Sequence, residues 1–140
     1  MNVWLCPVKP RSWGIIKKRA LFGAPKQQLE TFSNVKPGDL LVFHVFRPVN
    51  GIVSVYRVAS EVFENYEDIW GKDRYPFRVC VEPIPHMLRD EDKPIPLSAI
   101  FGKGDKQSEI EIEPYLKNIW ITKISERQYK NLQKLFAKRT

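Results

Sequence analysis

The chain is short of the residues that build redox and metal centres. Among 140 residues it has 2 cysteines, Cys6 and Cys80, and 2 histidines, His44 and His86, and no Cys-x-x-Cys pair. A zinc site needs a full set of such ligands at short local spacings, so no metal site and no cofactor is expected. Both cysteines lie in apolar, β-like runs and are expected as buried, reduced thiols. No apolar run approaches the roughly 18 residues that span a bilayer. Met1 to Leu5 is followed at once by Pro7, Lys9 and Pro10 rather than by a signal peptide's apolar stretch. An intracellular, cytoplasmic protein without a membrane partner is the expectation. Missing too are a Gly-x-Ser-x-Gly elbow and a Walker-type phosphate loop, for which Gly102-Lys-Gly104 is too short. There is no repeat, no low-complexity tract and no linker, and the length suits one core, so residues 1–140 are read as a single domain.

Acidic residues are missing where basic ones gather. The net charge is +7, and residues 1–28 hold Lys9, Arg11, Lys17, Lys18, Arg19 and Lys26 with no acid. Residues 117–140 hold 7 basic side chains against Glu126 alone, while 61–116 is net acidic. If the two ends meet in the fold they form one basic face, for which a polyanion is the natural partner.

Val3 to Val8 reads as a first strand, and Ser12 as the N-cap of a short helix, Trp13 to Lys18, stopped by Gly23 and Pro25. A helical turn is expected around Gln27 to Phe32, and a tight turn at Val35-Lys-Pro-Gly-Asp39. Leu40 to Phe46 is a strongly apolar strand, and Asn50-Gly51 is a hairpin signal leading into Ile52 to Phe63. Phe77 to Pro83 alternates, with Phe77, Val79 and Val81 on one face and Arg78 and Cys80 on the other. Pro85 to Pro96 is read as irregular, with a helical turn at Pro96 to Ile100. Glu109 to Glu113 is an alternating edge strand and Asn118 to Ile124 the last strand. Ser125-Glu-Arg-Gln128 matches a capping box for a final helix with Tyr129, Leu132, Leu135 and Phe136 on one stripe. Short strands with few helices give an α+β fold around a small, partly closed sheet.

Trp70 stands in the most polar loop of the chain, Glu64-Asn-Tyr-Glu-Asp-Ile-Trp-Gly-Lys-Asp-Arg-Tyr-Pro. With no evident core to fill, it is read as an exposed indole that stacks on a flat ligand. Trp4, Trp13 and Trp120 are read as core or helix-packing residues.

The strand Val3-Trp4-Leu5-Cys6 is followed by Leu21-Phe22-Gly23-Ala24-Pro25-Lys26, Val35-Lys-Pro-Gly-Asp39, Gly51-Ile-Val and Tyr75-Pro-Phe-Arg-Val79. In that order these segments resemble the EVE domain, strongly over residues 3–83 and less beyond. EVE domains belong to the PUA-like superfamily and are similar to YTH domains, which read methylated adenine in RNA. The resemblance implies a small mixed β-barrel flanked by short helices and a C-terminal helix. It also implies a reader rather than a catalyst, binding RNA or DNA with one modified base in an aromatic pocket. Residue by residue, it makes Phe22 and Trp70 the walls of that pocket. Lys9 and Ser12 supply polar contacts, and His44 and Tyr75 lie at positions beside them. Arg11, Lys17, Lys18, Arg19, Lys26, Arg74 and Arg78 are then the phosphate contacts. The chain departs from the family in having Phe22 where relatives place Trp. It also has the acidic Glu109 to Glu113 where they carry a Trp-centred basic stretch before the last helix.

Two other readings stay open. One is a nucleic-acid-processing enzyme using His44 and the acids of the loop, Glu64, Glu67, Asp68 and Asp73. The other is a protein-interaction module with Trp70 as its hot spot.

Overall fold

The computed structural model of the chain describes residues 1–71, 74–100 and 119–138. The chain starts with β1 (Val3–Val8), turns into α1 (Pro10–Arg19) and returns as β2 (Leu21–Ala24). A 3-10 turn, Lys26–Gln28, leads into the single helical turn α2 (Leu29–Phe32). Next come β3 (Leu40–Val45), β4 (Gly51–Val58), the two-residue β5 (Phe63–Glu64) and the long β6 (Phe77–Leu88). A 3-10 turn at Leu97–Ile100, the short β7 (Thr122–Lys123) and α3 (Glu126–Ala137) complete the described elements.

These strands form one curled sheet in the order β2-β6-β4-β3-β1-β7, with β5 paired to β6. β1 and β3 run parallel, as their crossover through α1 and β2 requires, and the other pairings are antiparallel. Both β1 and β3 are buried along their whole length, because each has a strand on either side and packing on both faces. Alternation sorts their side chains. Trp4, Cys6, Leu41, Phe43 and Val45 join Trp13, Ile16, Phe22 and Phe32 in one core, while Val3, Leu5, Leu40 and Val42 pack with Leu132 and Phe136 of α3 in the other. The expected α+β architecture is what forms. The pairing of β1 with β7 sets the Lys123 ammonium 5.5 Å from the Trp4 ring, whereas α1 and α3, which carry most of the basic residues of the two ends, pack into different cores and are not brought together by it.

Local chemistry accounts for the joints. The buried Asp39 carboxylate accepts from the Trp4 indole N–H (3.1 Å) and from the backbone N–H groups of Asn2 and Lys36 (both 3.0 Å), locking the turn to the start of β1. Gly38 sits at φ 92° within that turn, a conformation glycine adopts freely. Ser125 and Gln128 form the expected capping box on α3.

Several expectations are corrected. α1 begins at Pro10 with Lys9 as N-cap, so Ser12 lies inside the first turn, and the helix ends on Ala20 in the left-handed region rather than at Gly23. Proline's preset φ and missing N–H suit the first helical position, which is why the helix starts early. The hairpin signalled by Asn50-Gly51 does form between β3 and β4, closed by a loop over residues 46–50 with Asn50 at φ 55°. β6 continues through Pro83 and Pro85, because its ladder with β4 is broken there by a bulge between Ser54 and Tyr56 and resumes at Leu88. Cys6 is buried, which pushes its thiol pKa up, but Cys80 is exposed, pointing away from the face that holds Val79 and Val81. The expected edge strand at 109–113 lies outside the described residues.

Candidate functional site

A cavity of about 110 Å³ opens at the N-terminal end of α1. Lys9 and Ser12 line it from the start of the helix, and Pro7 and Val8 from the end of β1. Phe22 and Gly23 come from β2, Trp70 and Tyr75 from the loop between β5 and β6, and Trp120 from the segment before β7. The structure therefore brings together Phe22, Trp70, Lys9, Ser12 and Tyr75, five residues predicted from separate parts of the sequence. A shallower groove of about 810 Å³ between β6 and α3 contains none of them.

Trp70 is not the exposed indole expected from its loop: its relative exposure is 4%. The loop folds back so that the ring lies on Gly23, where a Cβ would stand 2.9 Å from Trp70 Cη2 and 2.9 Å from Tyr75 Cβ. A residue without a side chain is what lets the two rings close on β2, and reading the loop alone could not reveal it. Tyr75 meets Trp70 edge-on with centroids 5.4 Å apart.

Trp120 is the wall that sequence reasoning missed. Its ring lies 4.7 Å from Tyr75, and its indole N–H donates to the Gly23 carbonyl at 3.2 Å. A signal for it existed. Trp120, with Lys123 close behind, stands just before the last helix, where the resemblance expects a Trp-centred basic stretch. Phe22 has two roles, since its ring packs edge-on against Phe32 and Phe43 in the core while also facing the cavity.

Arg78 is corrected from a phosphate contact to an internal clamp. Only 3% exposed, its guanidinium donates to Tyr75 O (2.9 Å), Glu67 O (2.5 Å) and Asn65 Oδ1 (3.3 Å), and lies 5.1 Å from the Trp70 ring centroid. Burial draws its pKa down, opposed by the charge of Glu67, yet an arginine stays protonated at any ordinary pH. One side chain thus ties the Trp70 loop to β6 at three points.

His44 is corrected as well. It is buried within β3, 5.9 Å from the Phe46 ring, and does not line the cavity. Burial lowers its pKa to about 4, so the imidazole is neutral near pH 7, and its Nδ1 has no hydrogen-bond partner among the described residues. Two basic residues are engaged elsewhere. Lys17 binds Glu91 at 2.6 Å, drawing that carboxyl's pKa down, and Arg19 binds Glu67 at 2.6 Å. Lys9, Arg11, Lys18, Lys26 and Arg74 are exposed. Arg11 lies over Gly71, at φ 71°, where a Cβ would stand 2.9 Å from its Nη2. Of the acidic loop, Glu64, Glu67 and Asp68 are exposed, Asp73 lies outside the described residues, and no described group of His, Cys, Asp and Glu side chains is placed to hold a metal ion. No described helix is long and apolar enough to cross a membrane.

Residues 2–135 match the family model of the EVE domain. Among curated proteins, the chain is 35% identical over 97 residues to the UPF0310 protein PH1033 of the archaeon Pyrococcus horikoshii, covering 60% of this chain and 67% of that one. Among solved structures it resembles Rpa0253 from Rhodopseudomonas palustris (TM-score 0.68, 14% identity, 100% of this chain and 96% of that one). It also resembles the YTH domain of the Zygosaccharomyces rouxii MRB1 protein, solved in complex with N6-methyladenosine RNA (TM-score 0.64, 17% identity, 96% of this chain and 86% of that one). The curled sheet with its C-terminal helix is the PUA-like fold that these structures share.

Proposed function

The chain belongs to the EVE domain family, and on that premise we propose that it is a non-catalytic nucleic-acid-binding domain whose cavity receives one modified base. The observation that carries this reading is the convergence of Phe22, Trp70, Tyr75 and Trp120 on one cavity with Lys9 and Ser12 at its edge. Its volume of about 110 Å³ is below the ~150 Å³ of a cavity known to admit a benzene ring, so a methylated base enters it with an outward shift of the walls. Stacking on such rings contributes about 1–3 kcal/mol per base, and an added methyl group gains apolar contact. The Ser12 hydroxyl and Lys9 ammonium supply directional bonds to the base edge, while Arg11, Lys18, Lys26 and Arg74, exposed and outside any ion pair among the described residues, position the phosphates. The YTH domain that shares this fold is in complex with a methylated RNA, which supports the choice of ligand.

Both competing readings lose the residue that motivated them. An enzyme would need His44 as its base, and that imidazole is buried away from the cavity with a pKa of about 4. An interaction hot spot at Trp70 would need an exposed indole, and this one is buried.

The test is a titration of short single-stranded RNAs, one carrying N6-methyladenine and one unmodified, followed by fluorescence anisotropy. Trp70→Ala is expected to weaken the methylated strand by at least about 1 kcal/mol while leaving the unmodified strand near its original affinity. Equal affinity of both proteins for the methylated strand overturns the reading.

A further inference from the structure

We infer that the cavity accepts an uncharged base and rejects a positively charged one, an inference that rests on the base-reading function proposed above. Aromatic faces attract cations, so a pocket of rings alone would favour a cationic modification. Here that attraction is already taken. The Arg78 guanidinium lies 5.1 Å from the Trp70 ring centroid without itself lining the cavity, so a permanent positive charge stands behind the wall on which the base would stack. Its bonds to Tyr75, Glu67 and Asn65 hold it there.

Two further contributions have the same sign. Lys9 lines the cavity, and so does the first turn of α1, which carries no acidic residue to offset the helix's partial positive end. No acidic side chain is among the described lining residues. Of the nearby loop acids, Glu67 gives its carboxylate to Arg19, and Asp68 faces a separate small hollow beside Arg74. A cationic base entering this space would be stripped of water with no counter-charge among the described lining residues, and would lie within roughly 10 Å of Arg78. At an effective dielectric near 20, that repulsion alone is worth about tenfold in affinity. A neutral methylated base meets the same rings without the penalty.

Methyl isomers separate charge from size. N6-methyladenine and N4-methylcytosine are neutral; N1-methyladenine and N3-methylcytosine hold the same added group and are cationic near pH 7. Each is placed at one position of otherwise identical single-stranded RNAs, and affinities are measured by anisotropy at one salt concentration. In at least one pair the neutral isomer is expected to bind about tenfold more tightly than its cationic partner, and in neither pair the reverse. Lys9→Glu, at an exposed position, is expected to narrow that ratio several-fold, because it replaces a like charge with a counter-charge; urea unfolding checks that the fold is kept. Isomers that bind equally to each other and better than the unmodified strand would overturn the inference and leave base reading standing. If none of the four binds better than the unmodified strand, base reading fails and the inference falls with it.

Discussion

Two clusters of aromatic rings meet at Phe22, and they differ in how they are held. In the core cluster, Phe43 lies 5.4 Å from Trp13, Phe22 and Tyr56, all carried on helix or strand, and the space between them is filled. In the wall cluster, Trp70, Tyr75 and Trp120 stand equally close, at 5.4 and 4.7 Å, yet border an open volume of about 110 Å³. The core rings take their positions from regular backbone. The wall rings sit on irregular segments and are fixed from behind, Trp120 by its bond to Gly23 and the Trp70 loop by Arg78. Side chains normally rotate to fill a void of this size. A hole persists where the rings around it are anchored outward, and that separates a binding cavity from a packing defect.

Removing a ring from the first cluster tests the contrast most severely. Phe43→Ala deletes the ring that three others share, and it is expected to cost about 3–5 kcal/mol of stability, measured by urea unfolding. A loss below about 1 kcal/mol would mean that the core rings do not depend on Phe43. Gly23→Ala acts where the clusters join. Its Cβ would stand 2.9 Å from Tyr75 Cβ, an atom fixed to the backbone, so the loop itself must shift. The expected cost is about 1–3 kcal/mol of stability, together with loss of any preference for a modified strand. A variant that keeps the preference would show that Gly23 does not set the walls.

Local, periodic features were legible in the sequence. The capping box at Ser125, the apolar strand at Leu40 and the turn at Gly38 each depend on a few neighbouring residues, and each forms. Most of the cavity could also be named, because the ordered motifs pointed to Phe22, Trp70, Lys9 and Ser12. What stayed hidden were contacts between distant segments. Trp70 looks exposed in a polar loop until Gly23, nearly fifty residues earlier, gives it a surface to lie on. Arg78 looks like a phosphate contact until three oxygens of its own loop enclose it. Lys17 and Arg19 look free until the fold brings Glu91 and Glu67 beside them. The partners of Trp70, Lys17 and Arg19 lie nearly fifty residues away or more, beyond any local window, and those of Arg78, though near in sequence, meet it only once the loop has folded back.

The smallest expected effect separates the charged rim from the aromatic walls. Lys17 and Lys18 are neighbours on α1, but Lys17 is bonded to Glu91 and lies 5.5 Å from the Trp13 ring, whereas Lys18 is exposed and makes no ion pair among the described residues. Lys17→Glu would set a carboxylate against Glu91 and cost up to about 1 kcal/mol of stability, which would blur its effect on binding. Lys18→Glu is the cleaner probe, with a stability change expected within about 0.5 kcal/mol. If the rim contacts phosphates alone, Lys18→Glu weakens methylated and unmodified strands by the same few-fold factor, and the dependence of log K on log salt becomes shallower by about 1. The ratio between the two strands, set by the walls, stays where it was. A loss confined to the methylated strand would place Lys18 in the recognition of the base and remove the division between rim and wall.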